Sequence, residues 1–441
     1  MTDVIIIGGG PGGYRAAEYA ARNGLQVIVI EENNVGGTCL NCGCIPTKTL
    51  CHNAEIVSSL QEEGSGLKDV SFAVDFSAIM ERKNNVVKQL REGVETLLSR
   101  PGITLVRGHA VLKDACTVVV DNKEYSARSI ILATGSSAKL LPIEGVASPN
   151  VVTSTELLDI TEVPRRLCIV GAGVIGMEFA SIFASFGSEV TVVEFLKECL
   201  PAIDSDIAKR LRKSLEKRGV SFFMQSAVKK IDGNQVVFER KGKECVVEAD
   251  VILMATGRKA NVEGLNLEGV GVKTDRGVIV VDDNMQTSVE GIYAIGDVNG
   301  RQMLAHAATF QGFRAVNYIL GRKDNIRLDV MPAAVFTSPE VGSVGMTEDQ
   351  CGTLGAEYKV HKAYFRANGK ALAMNASDGL VKLITDNDKH IIGCHVLGAH
   401  AADIVQEAAV LIAKDATIDD LADIVHIHPT LSEVLHDASL V

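Results

Sequence analysis

Val4-Ile5-Ile6-Ile7-Gly8-Gly9-Gly10-Pro11-Gly12-Gly13 carries a β-branched run straight into a glycine cluster. An unbroken apolar run suits a strand buried on both faces of a parallel sheet, and Tyr14 to Asn23 suits the helix that follows it. Gly8, Gly10 and Gly13 fit GxGxxG. The first allows a tight turn, the second lets a pyrophosphate approach the backbone, and the third lets helix pack on strand. The helix N-terminus then favours the phosphate charge. A second strand, Val27 to Ile30, ends in Glu31, which lies 18 residues past Gly13 and can accept hydrogen bonds from ribose hydroxyls.

The same unit returns. Leu167-Cys168-Ile169-Val170 is a strand, Gly171, Gly173 and Gly176 form a second GxGxxG, and Met177 to Phe186 is helical. Val190 to Val193 ends in Glu194, again 18 residues past the last glycine. Recurrence at identical internal spacing predicts two Rossmann-like dinucleotide domains, and hence two-electron equivalents passing between two cofactors. Glu194 would repel a 2′-phosphate, and Phe195-Leu196 place no cation beside it, so NAD is expected rather than NADP.

Composition bounds the rest. With 441 residues the chain has material for about three domains. A charged fraction of 22% against 46% hydrophobic is ordinary for a globular protein, and 41 glycines against 10 prolines suit close backbone approaches. The net charge of −11 argues against nucleic acid or an anionic membrane as partner. Ten cysteines are too sparse for a secreted disulfide scaffold. Met1-Thr2-Asp3-Val4 shows no signal peptide and no run of about 20 apolar residues is free of charge. A cytoplasmic location follows, with an organellar transit peptide removed beforehand as the other origin.

Between the two glycine units stands Gly36-Gly37-Thr38-Cys39-Leu40-Asn41-Cys42-Gly43-Cys44-Ile45-Pro46-Thr47-Lys48. Three readings compete for its sulfurs. With Cys51 and His52 they could hold zinc, but the spacing is not that of a ribbon or finger and a helix would spread the ligands, so no metal is expected. Buried structural cysteine is the bland reading. Clustering beside a cofactor loop, with Lys48 one helical turn past Cys44, favours reactive thiols. The pairing is open. An i,i+3 pair such as Cys39 and Cys42 is close enough to bridge in a regular helix. Cys39 and Cys44 would rise about 7.5 Å along the axis, beyond the usual ~4.4–6.8 Å between Cα atoms. On geometry the nearer pair wins, and a 39–44 bridge needs Cys39 to sit before the first regular turn.

The segment GGTCLNxGCIPxK resembles the redox-active disulfide segment of the class I pyridine nucleotide-disulfide oxidoreductases, the dihydrolipoamide dehydrogenases in particular. That resemblance, not geometry, implies a Cys39–Cys44 bridge, with Cys39 meeting the substrate and Cys44 lying against the flavin. Lys48 matches the family lysine near the flavin, and Glu178 the glutamate that pairs with it. Cys42 departs from the pattern, since the family usually has another residue there. Ala133-Thr134-Gly135 and Ala255-Thr256-Gly257 match turns that close the two nucleotide domains. Asp297, ending the strand-like Gly291 to Val298, matches the residue that binds the ribityl chain, and Ala305 opens the segment beside the flavin ring. There His306 is read as a packing or flavin contact rather than a base.

From about Met331 the pattern alternates like an antiparallel sheet, with strands expected at Pro332 to Phe336, Glu340 to Gly345, Lys359 to Tyr364, Gly379 to Ile384 and Ile391 to Leu397. Helices are expected at Asp403 to Lys414 and Ile418 to Ile424. Near the end stands His426-Ile427-His428-Pro429-Thr430-Leu431-Ser432-Glu433. A histidine before a proline is ordinary helix-start punctuation. Beside a dithiol, a group titrating near pH ~6.5 held by a carboxylate is what thiol exchange needs. The family's HPTxxE pattern makes His428 the acid–base and Glu433 its orienting partner, with His426 less favoured.

The resemblance runs from Val4 to Glu433. It implies an α/β fold with two Rossmann-like domains, for FAD and NAD, and a C-terminal α+β dimerisation domain. The divisions expected are 1–142 for FAD and the disulfide, 143–258 for NAD, 259–328 completing the FAD site, and 329–441 as interface. The function implied is NAD-dependent dihydrolipoamide dehydrogenase activity in a homodimer. Its partners would be lipoyl-bearing carriers of 2-oxoacid dehydrogenase or glycine cleavage systems. The alternative is another NAD(P)H-dependent FAD disulfide reductase of the family.

Overall fold

The computed structural model describes residues 2–61 and 66–441. The chain divides into two compact units. One comprises Met1–Thr49, Met80–Lys139 and Arg258–Leu328, and the other Leu50–Ile79, Leu140–Gly257 and Asp329–Val441.

In the first unit the strands Ile103–Arg107, Val27–Glu31, Thr2–Ile7 and Lys123–Leu132 run parallel in that order, and Ile292–Ala294 pairs with Lys123–Leu132. Side chains alternate across this sheet. Val4, Ile6, Val27, Val29 and Ile131 face helices Pro11–Arg22 and Ala305–Ile319, whereas Ile5, Ile7, Ile30, Ile130 and Leu132 face an antiparallel layer holding Leu112, Val118 and Val120. Each such side chain contributes roughly 1.5–3 kcal/mol on burial. The two helices cross on small residues: a Cβ at Gly312 would stand 3.0 Å from Ala16 Cβ and 3.2 Å from Gly12 O.

The first helix starts at Pro11, three residues before Tyr14, because proline suits the first helical position and the last glycines of the motif lie inside the opening turn. The second glycine motif behaves alike, its helix running Val174–Ser185. The sequence from Cys51 to about Arg100 reads as helical with an interruption near Gly64-Ser65-Gly66; Gly64 and Ser65 lie outside the described residues, and on either side run helices Cys44–Leu60 and Phe76–Leu98.

The second unit carries a parallel sheet in the order Ser221–Phe223, Glu189–Val193, Arg166–Val170, Val251–Met254, Val151–Val152. It also holds an antiparallel sheet in the order Ala333–Val335, Glu340–Gly345, Ile391–Gly398, Leu380–Thr385, Lys359–Tyr364. Helices Ala401–Ala413 and Glu433–Ser439 bury Ile404, Val405, Ala408, Val434 and Leu435 with this sheet.

Strand Leu380–Thr385 is buried along its whole length, yet it contains Lys382, 1% exposed. Its ammonium donates to both carboxylate oxygens of Asp204 at 2.8 Å and pairs with Glu348 at 2.5 Å. Burial, the largest single influence, pushes the Asp204 carboxyl up, but the Lys382 bonds and charge, His395 and the Glu348 N–H together hold it below the usual range. Its contribution is therefore complete above the ordinary carboxylate pKa and is lost as pH falls through the lowered value. Lys382→Met strands Asp204 as an unpaired buried charge. A loss of about 3–5 kcal/mol is expected, read as a lowered midpoint in denaturant unfolding, with partial recovery when Asp204→Leu is added.

Candidate active site

Both glycine loops are held by the same set of backbone contacts. Gly8 (φ +108°) would place a Cβ 2.2 Å from Ala133 O, and Gly171 (φ +104°) would place one 2.4 Å from Ala255 O. These positions tolerate only glycine. The Ala133 and Ala255 turns therefore brace the first glycine of each loop. Gly13 and Gly176 close the helix onto the loop, a Cβ meeting Gly8 O at 1.9 Å and Gly171 O at 2.1 Å.

The acids at the strand ends do a job that spacing did not reveal. Glu31 accepts from Gly9 N at 2.7 Å and Asn33 N at 2.8 Å; Glu194 accepts from Ala172 N and from Leu196 N at 2.7 Å. Each carboxylate thus ties its own glycine loop to the second strand. Having about four lone-pair sites, it keeps acceptor capacity for a ribose.

The middle glycines border open space: a Cβ at Gly173 would meet nothing within 4 Å, and at Gly10 only Gly37 Cα at 3.7 Å. Gly10 and Gly173 cap their helices with no side-chain bond, leaving opening-turn N–H groups for a ligand. The cradle and the helix dipole both fit a dinucleotide pyrophosphate.

The cysteine segment leans on the first loop. Gly36 donates to Gly9 O at 2.8 Å, and a Cβ on Gly37 (φ +59°) would stand 2.6 Å from Gly10 Cα. Cys39 lies inside helix Gly37–Cys42, not ahead of the first regular turn. The chain breaks at Gly43, and helix Cys44–Leu60 starts afresh. A Cβ at Gly43 would be 2.8 Å from Thr38 O and 3.2 Å from Cys39 Cα, so only glycine lets the chain fold back there. The fold-back brings the Cys44 side chain into a hydrogen bond with Cys39. Cys39, Cys42 and Cys44 are not joined in a disulfide here and are partly exposed. The hydrogen bond to Cys44, then burial, push the Cys39 thiol well above its ordinary range, while Lys48 pulls the other way.

Thr134 Oγ1 donates to Asn261 O at 2.7 Å, and Asn261 N donates to Gly135 O at 2.9 Å, which stitches the turn to the later part of its unit. Asp297 accepts from Ser136 Oγ at 2.5 Å, with Arg258 Nε 3.8 Å from the same oxygen and 2.7 Å from Ser136 Oγ. Ser136 and Arg258 were missed in the sequence, although each directly follows an ATG turn. Gly257 has φ +105° with open space around its Cα. Ala305 starts the helix holding His306. Lys48 lies in the first unit; Glu178 lies in the second, 3% exposed and accepting from Phe336 N at 2.9 Å.

At the C-terminus His428 Nδ1 meets Glu433 Oε1 at 2.9 Å, and Glu433 Oε2 accepts from Thr430 N at 2.7 Å. The Thr430 N–H and then His428 hold the Glu433 carboxyl below its usual range. The imidazole thus sits on a fixed anion, leaving Nε2 for acid–base work. The His428 side chain is 79% exposed, against 7% for His426, which is tied to Glu407 and Ile424 O. That makes His426 a packing residue. Among the described residues, no group of three or more His, Cys, Asp or Glu is placed to hold a metal ion, and no helix is long and apolar enough to cross a membrane.

Comparison with known proteins gives matches over nearly the whole chain. The family model described as pyridine nucleotide-disulphide oxidoreductase matches residues 2–312, and the dimerisation domain of the same name matches residues 331–439. Leghemoglobin reductase of Glycine max is 40% identical over 100% of this chain and 87% of its own length. Mitochondrial dihydrolipoyl dehydrogenase of Pisum sativum is 39% identical over 100% and 91%, and dihydrolipoyl dehydrogenase of Bacillus subtilis (strain 168) is 37% identical over 99% and 97%. Among solved structures, the HOCl-induced flavoprotein disulfide reductase RclA from Escherichia coli superposes with a TM-score of 0.88 at 32% identity, covering 99% of both chains.

Proposed function

The chain belongs to the pyridine nucleotide-disulphide oxidoreductases, and we propose that within that family it is a dihydrolipoamide dehydrogenase whose Cys39 and Cys44 form the redox disulfide. The observation that carries this reading is the Cys39–Cys44 contact, made across Gly43 in a segment packed on the first glycine loop. Likeness to dihydrolipoyl dehydrogenases along nearly the full chain supports the choice of substrate.

FAD and NAD are the cofactors: FAD, when bound, takes up the electron pair of the dithiol and NAD carries it away as hydride. Gly8, Gly10, Gly13, Glu31, Lys48, Thr134, Gly135, Asp297 and Ala305 are the proposed FAD residues. Gly171, Gly173, Gly176, Glu194 and Gly257 are those for NAD, and Glu178 is the partner proposed for Lys48.

The chemistry left to this chain is thiol exchange. His428 Nε2 takes the proton of one thiol of the dihydrolipoyl group, and the thiolate attacks Cys39 Sγ. The Cys39–Cys44 bond breaks with its electron pair on Cys44. The second lipoyl thiol, once deprotonated, attacks the lipoyl sulfur of the mixed disulfide. Cys39 then leaves and takes up the proton held by His428. The dihydrolipoyl group ends as a cyclic disulfide, Cys39 as a thiol and Cys44 as a thiolate, with the second lipoyl proton released to solvent, so two electrons have moved.

The chain carries a dimerisation domain. We place the working His428 opposite the disulfide of a second copy, a reading that the exposure of its side chain supports. The substrate is a lipoyl group carried by a 2-oxoacid dehydrogenase or glycine cleavage protein.

Two steady-state assays test this. With dihydrolipoamide, NAD should give a kcat/KM at least about a hundredfold above NADP, because Glu194 meets the 2′-phosphate with like charge. Reduction of glutathione disulfide by NADH should be slower than dihydrolipoamide oxidation by orders of magnitude. Faster turnover with another disulfide, or with NADPH, would move the chain to the disulfide-reductase reading that RclA represents.

A further inference from the structure

Cys42 has no part in the relay described above. It is the last residue of helix Gly37–Cys42 and stands three positions after Cys39 on the same helix. Residues so spaced share a face, with Cβ atoms about 5–6 Å apart, whereas a disulfide needs about 3.5–4.5 Å. At that helical spacing a shift of roughly one to two ångström brings such a pair to bonding distance.

The segment is built so that this movement falls at its end. Its start is fixed by Asn41, whose amide donates to Val35 O at 3.0 Å and Gly37 O at 2.9 Å and whose carbonyl accepts from Arg91 Nε at 2.8 Å. Cys42 adjoins Gly43, where the helix ends and the chain turns back over Thr38 and Cys39. Cys39 therefore has one cysteine within a helical turn before the break and another in hydrogen-bond contact after it. All three are partly exposed, so none is sealed off by packing.

We propose that Cys42 is a second bridging partner for Cys39. In the oxidised enzyme the Cys42 thiolate attacks Cys39 Sγ, the 39–42 bond forms as the 39–44 bond breaks, and the electron pair leaves on Cys44. No external oxidant or reductant enters. The oxidised enzyme is then a mixture of two isomers at one oxidation level. One has a free Cys42; the other has a free Cys44 beside the flavin. The second isomer still offers Cys39 to a dithiol, with Cys42 as the leaving group, and reduction of either isomer gives the same three-thiol enzyme. This rests on the reading of Cys39–Cys44 as the redox disulfide.

The test is cysteine mapping of the oxidised holoenzyme. It is acid-quenched, unfolded and alkylated with N-ethylmaleimide, and its peptides are resolved by mass, in wild type and in Cys42→Ser. The expected result is alkylated Cys44 in wild type and at least tenfold less in Cys42→Ser. A wild-type fraction of about one in a hundred corresponds to bridges differing by about 60 mV, at about 30 mV per tenfold. Wild-type enzyme with Cys42 fully alkylated and Cys44 never alkylated overturns the exchange and leaves the 39–44 disulfide standing. Alkylation of Cys39 in every molecule overturns both.

Discussion

Cys44→Ser is expected to lower dihydrolipoamide oxidation by roughly 10³-fold or more, the scale on which removing a covalent participant stops an enzyme. Serine at 44 leaves Cys39 only Cys42 to bridge to, and with no thiol at 44 to hand the electron pair to the flavin, turnover stops once that bridge is opened. Cys39→Ser should be as severe, but the two variants must differ in colour. In Cys39→Ser, Cys44 is a permanent free thiol; its thiolate beside oxidised flavin should give long-wavelength absorbance without any reductant. Neither change should unfold the protein. Both side chains are partly exposed, and serine preserves their size. Equal activity in either variant and wild type would remove the segment from the chemistry.

His428→Gln is expected to reduce kcat by about 10²–10⁴-fold, the usual range for a lost general acid–base group, with KM for dihydrolipoamide changed much less. Glutamine keeps a donor for Glu433 but cannot take a proton. Glu433→Gln should cost less than His428→Gln, since the imidazole survives and only its anchor weakens. The anchor is ionised throughout the neutral range: Thr430 N–H and His428 hold the Glu433 carboxyl low. By the linkage rule, its tie to the loop is complete above the ordinary carboxylate pKa and fails only as pH falls through the lowered value. An acid limb of the rate profile near neutrality therefore does not arise from Glu433. Retention of full kcat by His428→Gln would assign the proton to another group.

Much of this was legible in the sequence because the constraints are local. A glycine loop, a helix start and an acid at the next strand end must recur at fixed spacing, and Gly8, Gly13, Gly171 and Gly176 sit where a Cβ would strike backbone. Strand Lys359–Tyr364 fell where alternation put it, and Glu340–Gly345 likewise. What escaped was non-local or depended on one backbone turn. Regular-helix geometry favoured Cys39 with Cys42, because nothing in the residue order tells that Gly43 ends one helix and folds the chain back on Cys39. Glu31 and Glu194 stood at the right positions, but their grip on Gly9 N and Ala172 N shows only in three dimensions. Arg258 with Ser136, and Lys382 with Asp204, join residues 122 and 178 positions apart. Lys382 in particular lies inside a strand otherwise apolar enough to pass for plain core.

The proposed electron route runs from an outside dithiol in through Cys39 and out through Cys44. Its most direct test is the absorbance of the holoenzyme on anaerobic addition of one equivalent of dihydrolipoamide, without NAD, in wild type and in Cys44→Ser. A long-wavelength thiolate-to-flavin band is expected in wild type and none in Cys44→Ser. The band persisting undiminished in Cys44→Ser would contradict it.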